Sequence, residues 1–292
     1  MKKTLFFATV LALMASATVS CNKPDQGGTD NTETTYTLPA PKFVNDAVSV
    51  SFKSNESQFL ELGDMIFLPD KLIFTEGGRY ALFGKEGLKS YGDRVSISGK
   101  YTKDGNTYMM AGFGKAVFDG NKLTLTPDSG KAVEYDVNTQ KPSTPSGNNE
   151  NNIARAWKPG GDIKVSIPSK GISTTLAPNF ESIAGYLEEH GVSGIDKATY
   201  KGYEIESINL SLAEMSFLVN FTNQKAYLGN WKWTNMAKGE FSYTFGAQWG
   251  GEMINGTADG SVKFVSNNRC DFVMNITVKG TTAELKFSLV EA

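Results

Sequence analysis

Cysteine and histidine are nearly absent from the 292 residues, which hold only Cys21, Cys270 and the single histidine His190. That scarcity excludes the common zinc sites, which take several His or Cys ligands, and a disulfide framework, which needs paired cysteines. Serine-triad and Cys–His mechanisms are left with one imidazole between them. No G-x-S-x-G elbow surrounds a serine and no P-loop appears. An excess of charge of one sign is missing too, with 29 Lys and Arg against 31 Asp and Glu. The basic residues are scattered rather than gathered on one face to neutralise phosphates, so nucleic acid is set aside as a partner. Long hydrophobic runs are also lacking: the apolar stretch from Leu5 to Met14 is too short to span a bilayer.

That stretch resembles an export signal, with Lys2 and Lys3 as its positive region. Two cleavage readings compete within residues 1–21. Ala15-Ser16-Ala17 fits an ordinary signal peptidase, whereas Thr18-Val19-Ser20-Cys21 resembles a bacterial lipobox, with Thr18 where Leu is usual. The segment after Cys21 favours the lipobox. Residues 22–35 carry no large apolar side chain and are rich in Asn, Gln, Thr, Gly and Asp, as a flexible tether would be. Cys21 is therefore the expected lipidation site, and a membrane reached through that N-terminal lipid is the expected partner. The expected location is the cell envelope, as an outer membrane lipoprotein facing the periplasm or the surface. Cys270 would then lack an intramolecular partner. It shares one strand face with Phe272, Met274 and Ile276, so it reads as a small buried hydrophobe.

Residues 138–152 (NTQKPSTPSGNNENN) lack apolar side chains and contain two prolines, the composition of an interdomain linker. This divides the mature chain into an N-terminal β domain, 36–137, and a C-terminal one, 153–292. In the first, short β segments are expected at 48–52, 71–75, 79–83, 94–101, 107–113, 122–126 and 132–137, separated by Gly- and Asn-containing turns. In the second, a helix is expected over 179–190, with Phe180, Ile183, Ala184 and Leu187 on one face and Gly191 to stop it. After it come every-second-residue apolar sets, among them Met215-Phe217-Val219-Phe221, Tyr227-Gly229-Trp231-Trp233 and Ala283-Leu285-Phe287-Leu289. The expected fold class is all-β and mainly antiparallel, as two small barrel- or sandwich-like domains.

Residues 153–292 resemble the C-terminal domains of Bacteroidetes lipoproteins of unknown function that look lipocalin-like. The resemblance rests on Ile153 to Lys158, Glu188-Glu189-His190-Gly191, Gly229-Asn230-Trp231-Lys232-Trp233, Phe241-Ser242-Tyr243 and the closing segment from Gly260 to Ala292. It implies a barrel with one short helix and carries no catalytic set. In the first half, Ile73-Phe74-Thr75 and Tyr80-Ala81-Leu82-Phe83-Gly84 loosely echo Val219-Asn220-Phe221-Thr222 and Ala226-Tyr227-Leu228-Gly229, which leaves a duplicated module open.

Chemistry is sparse. His190, in the last turn of a helix, is accounted for by the macrodipole. Glu188 and Glu189 point apart on that helix, and Glu204, Glu206 and Glu284 read as solvated strand charges rather than an acid/base pair. Gly112-Phe113-Gly114 marks a bend. Aromatic residues remain: Trp231, Trp233, Tyr243 and Phe245 fit the inward alternation, while Trp249 lies in the loop 246–251. Trp249, Tyr243 and Trp233 are the candidate ligand contacts. No cofactor, catalytic residue or metal is expected. The expected function is a non-enzymatic module binding a small apolar or glycan ligand; the alternative is a structural or interaction protein of the envelope.

Overall fold

The computed structural model describes residues 36–53, 57–87, 94–192, 196–245, 256–278 and 280–292. Its first part builds β1 (Val48–Phe52), β2 (Leu60–Leu62), β3 (Met65–Phe74), β4 (Arg79–Glu86), β5 (Arg94–Asp104), β6 (Thr107–Met110), β7 (Gly114–Asp119), β8 (Lys122–Pro127) and β9 (Val133–Gln140). Neighbouring strands pair antiparallel from β3 to β9, and β1 closes the ring by pairing with both β9 and β3. A short helix α1 (Asn148–Ile153) precedes the second part. There follow β10 (Ala156–Pro159), β11 (Ile163–Ile167), β12 (Ile172–Leu176), helix α2 (Phe180–Glu189), β13 (Ile205–Ser211), β14 (Ser216–Phe221), β15 (Ala226–Asn235), β16 (Glu240–Phe245), β17 (Gly256–Ser266), β18 (Arg269–Val278) and β19 (Thr281–Glu291). Here β10 closes a second ring by pairing with β13 and β19. The chain is all-β, with two closed eight-stranded antiparallel barrels.

Alternation explains why the strands close. Along β14, Phe217, Val219 and Phe221 point inward while Ser216, Leu218 and Asn220 point out; along β4, Tyr80 and Leu82 point in while Arg79, Ala81 and Phe83 point out. The interior of the first barrel is held by Phe74, Tyr101 and Tyr108, with Phe74 and Tyr108 centroids 4.2 Å apart. That of the second is filled by Trp157, Phe217, Phe241, Tyr243, Phe272 and Phe287, with Phe241 stacked on Phe272 at 5.3 Å.

The outward residues of β13 and β14 are not wet. Ser207, Asn209, Ser211, Ser216 and Asn220 are buried, because the first barrel lies over them. Across this junction Asn220 Nδ2 donates to Tyr80 O at 3.1 Å, Ser98 N donates to Gln224 O at 2.7 Å, and Leu212 N donates to Glu76 Oε1 at 2.9 Å. Arg79 pairs with Glu206, and Lys71 with Glu214. Its apolar part is small: Ala81, Phe83 and Leu218, flanked by Ala226 and Leu228. The two echoing hairpins of the sequence, β3–β4 and β14–β15, lie on opposite sides of this contact, joined there by β5 and β13. Gly77 comes so close to Ala156 that any Cβ would collide with its backbone nitrogen.

Residues 36–292 form one compact unit. Residues 138–152, read as a linker, do connect the barrels, but both ends are structured: 138–140 finish β9 and 148–152 lie in α1. The start of the expected N-terminal domain also belongs elsewhere. Leu38 packs in the core of the second barrel, where its N–H is held by Asn152 Oδ1 at 3.0 Å.

Candidate functional site

The second sheet forks. Strand β19, paired with β18 on one side, pairs on the other with β10 through residues 289–291 and with β11 through residues 284–286, and β11 then turns back as β12. Between β12 and β13 the next segment fills in. An isolated bridge joins Asn179 to Glu204, Phe180 N donates to Tyr203 O at 2.8 Å, and Ile205 N donates to Pro178 O at 3.0 Å.

From that anchor α2 starts, its first turn satisfied by the Asn179 side chain, which accepts from Ser182 N at 2.7 Å. Ile183 and Leu187 turn into the barrel core. The helix ends where Gly191 adopts φ +73, a left-handed conformation suited to glycine. The expected span of 179–190 is observed as Phe180–Glu189 with Asn179 and His190 as caps.

The outer side of this arrangement is a groove of about 750 Å³ between β12, α2 and the 197–204 segment. Thr174, Ser182 and Asn179 contribute neutral polar groups, Glu181, Glu189 and Glu204 carboxylates, Lys197 one ammonium, and Tyr186 and Tyr203 half-buried rings. Tyr203 is backed by Phe221 at 4.9 Å and Tyr200 at 6.2 Å, and the Lys225 ammonium lies 5.1 Å from its ring centre. Such a surface can stack on an apolar face and hydrogen-bond around its rim.

The candidate contacts named from sequence are placed elsewhere. Tyr243 is 1% exposed, wedged between Phe217 and Phe241, with its hydroxyl donating to Asn275 O at 2.8 Å; it is core because its strand position faces inward. Trp233 packs edge-on against Trp231 at 5.2 Å, and its indole N–H is buried with no partner among the described residues. Trp249 and the side chain of Phe245 lie outside the described residues. Neither Tyr243 nor Trp233 borders the groove. Tyr186, Tyr203 and Lys197 do; Tyr186 lies on the expected helix but off its apolar face, and nothing in the sequence pattern singled out Lys197 or Tyr203.

Other singled-out residues have structural partners. His190 Nδ1 lies 2.7 Å from Tyr186 O, and the ring rests on Tyr186 at 4.3 Å. Cys270 is fully buried, and burial pushes its thiol far above the usual range. Glu206 is engaged by Arg79 and Glu284 by Lys286 at 2.9 Å. Among the described residues no group of three or more His, Cys, Asp or Glu is placed to hold a metal ion.

No family model, curated protein or solved structure matches this chain. The groove's own chemistry is therefore what bears on its role.

Proposed function

We propose that this protein is a membrane-anchored envelope lipoprotein, held through Cys21, that binds a polar glycan without transforming it. The observation that carries the reading is the groove beside the second barrel, lined by Tyr186, Tyr203, three carboxylates and neutral polar groups. Sugars offer a flat C–H face to such rings and hydroxyls to such a rim. The expected apolar ligand is dropped from the proposal, because the barrel interior that would hold it is occupied by Trp157, Phe217, Phe241 and Phe272.

The direct test is titration of the purified protein with a panel of soluble oligosaccharides, read by ligand-observed NMR. Binding by at least one of them, weakened about tenfold or more in Tyr203→Ala with the melting temperature little changed, is the expected result. A panel with no binder, or one whose binding ignores Tyr203, overturns the groove. Trp249 keeps its place as a proposed contact, tested by Trp249→Ala in the same titration. Anchoring is tested separately: palmitate label should enter the wild type and not Cys21→Ser.

A second reading, a structural or interaction protein, draws support from the filled barrels. Against it, Met109, 50% exposed, is the one large apolar side chain exposed among the described residues, short of the apolar patch that a stable partner usually needs.

A further inference from the structure

The junction between the barrels is not built like a permanent core. Apart from the small cluster around Ala81, Phe83 and Leu218 and the close approach of Gly77 to Ala156, it is bridged by hydrogen bonds and ion pairs. Residues 141–147, which carry the chain from one barrel to the other, contain no helix or strand. The non-glycine residues with left-handed backbone among those described are Glu214, Met215 and Gln224. They occupy the two turns that flank β14, and both turns grip the first barrel: Glu214 holds Ser49 and Lys71, and Gln224 O holds Ser98 N. Backbone of this kind persists where surrounding contacts enforce it.

Glu76 lies at the centre, in the turn between β3 and β4, 1% exposed. Its Oε1 accepts from Leu212 N across the junction, while Oε2 is buried with no partner among the described residues. A neutral acid tolerates that setting far better than a carboxylate, whose charge would be buried without a counter-ion. Nearby cations are already committed: Arg79 on β4 to Glu206 on β13, Lys71 on β3 to Glu214, and Arg155 before β10 to Glu291 on β19. On β5 the facing titratable group is Tyr101, which donates to Thr75 O and is itself kept protonated by burial. Burial raises Glu76 from 4.5 to about 7, only partly offset by the Ser211 hydroxyl and the surrounding amides.

We propose that the junction is a pH-operated latch, in which protonated Glu76 permits the barrels to dock and ionised Glu76 loosens them. Since an exposed carboxyl ionises more readily than the docked one, proton linkage favours the open form as pH rises.

The test is amide hydrogen exchange on the full-length chain at about pH 5.5 and 8.5, corrected for intrinsic rates. Exchange at Leu212, Ser98 and Ala226, amides that cross the junction, should rise on the order of tenfold, while Leu123 in β8 and Phe272 in β18 hold steady. Glu76→Gln, which keeps the shape and removes the charge, should flatten the response. A flat wild-type profile, a rise shared equally by the control amides, or a response unchanged in Glu76→Gln overturns the latch. Should that variant not fold, the contrast between junction and control amides in the wild type decides the question.

Discussion

Asn152 is wholly buried and satisfied at both ends of its amide, accepting from Leu38 N at 3.0 Å and donating to Tyr36 O at 2.6 Å. Truncation to Ala would strand two backbone groups, at a cost of about 1–3 kcal/mol. Asn152→Ala should therefore lower the denaturation midpoint and make the chain near Tyr36 an early protease site, with the circular dichroism of the barrels unchanged. Single residues of this kind were the least legible part of the sequence. Asn152 sits in a run of asparagines whose composition is that of a solvated linker, and nothing local distinguishes the one that ends up buried. Tyr243 shows the opposite case: its alternation with Phe241 announced an inward position, and the core is where it lies.

Helix α2 was readable because its signals are local: an apolar face at helical spacing, Asn179 before it and Gly191 after it. Removing the cap by Asn179→Ala should cost about 1 kcal/mol, and because Asn179 also joins the bridge to Glu204, it should loosen the groove wall as well. The expected measurement is a lower melting temperature together with faster exchange at Ser182 than in the rest of the helix. Strands with a clear apolar alternation, such as β15 and β19, were readable, whereas β11 (Ile163–Ile167), β12 (Ile172–Leu176) and β13 (Ile205–Ser211) were not among those expected. The three-residue β2 (Leu60–Leu62) has no period to detect, and β7 (Gly114–Asp119) was not among the expected strands, which ran from 107–113 to 122–126. The groove itself arises from the fork at β19, where one strand serves two partners that precede it by more than a hundred residues. No window along the chain contains that information.

At the scale of the whole molecule, the all-β class and the two barrels were legible, whereas their shared junction was not. Its residues alternate polar with apolar as any solvated sheet does: Ser207, Asn209 and Ser211 on one side, Thr75 and Arg79 on the other. Only the non-local packing buries them. This coupling predicts a pH dependence of stability with a definite sign. Because Glu76 is raised from 4.5 to about 7 in the folded protein, its contribution is fully present below about pH 4.5 and is lost as pH rises through about 7. Scanning calorimetry should show one cooperative transition near pH 5.5 and, at pH 8.5, a lower or split transition; an unchanged single peak at both would argue against the coupling.

The strap from Tyr36 to Pro39 gives the molecule a mechanical asymmetry. Arg155 grips Pro39 O with one arm of its guanidinium and Glu291 with the other, so the two ends of the described chain are riveted to the same side chain. A pull between residue 36 and the C-terminus would run through that rivet and Asn152, and the entire first barrel would hang as a slack loop outside the load path until the strap tore free.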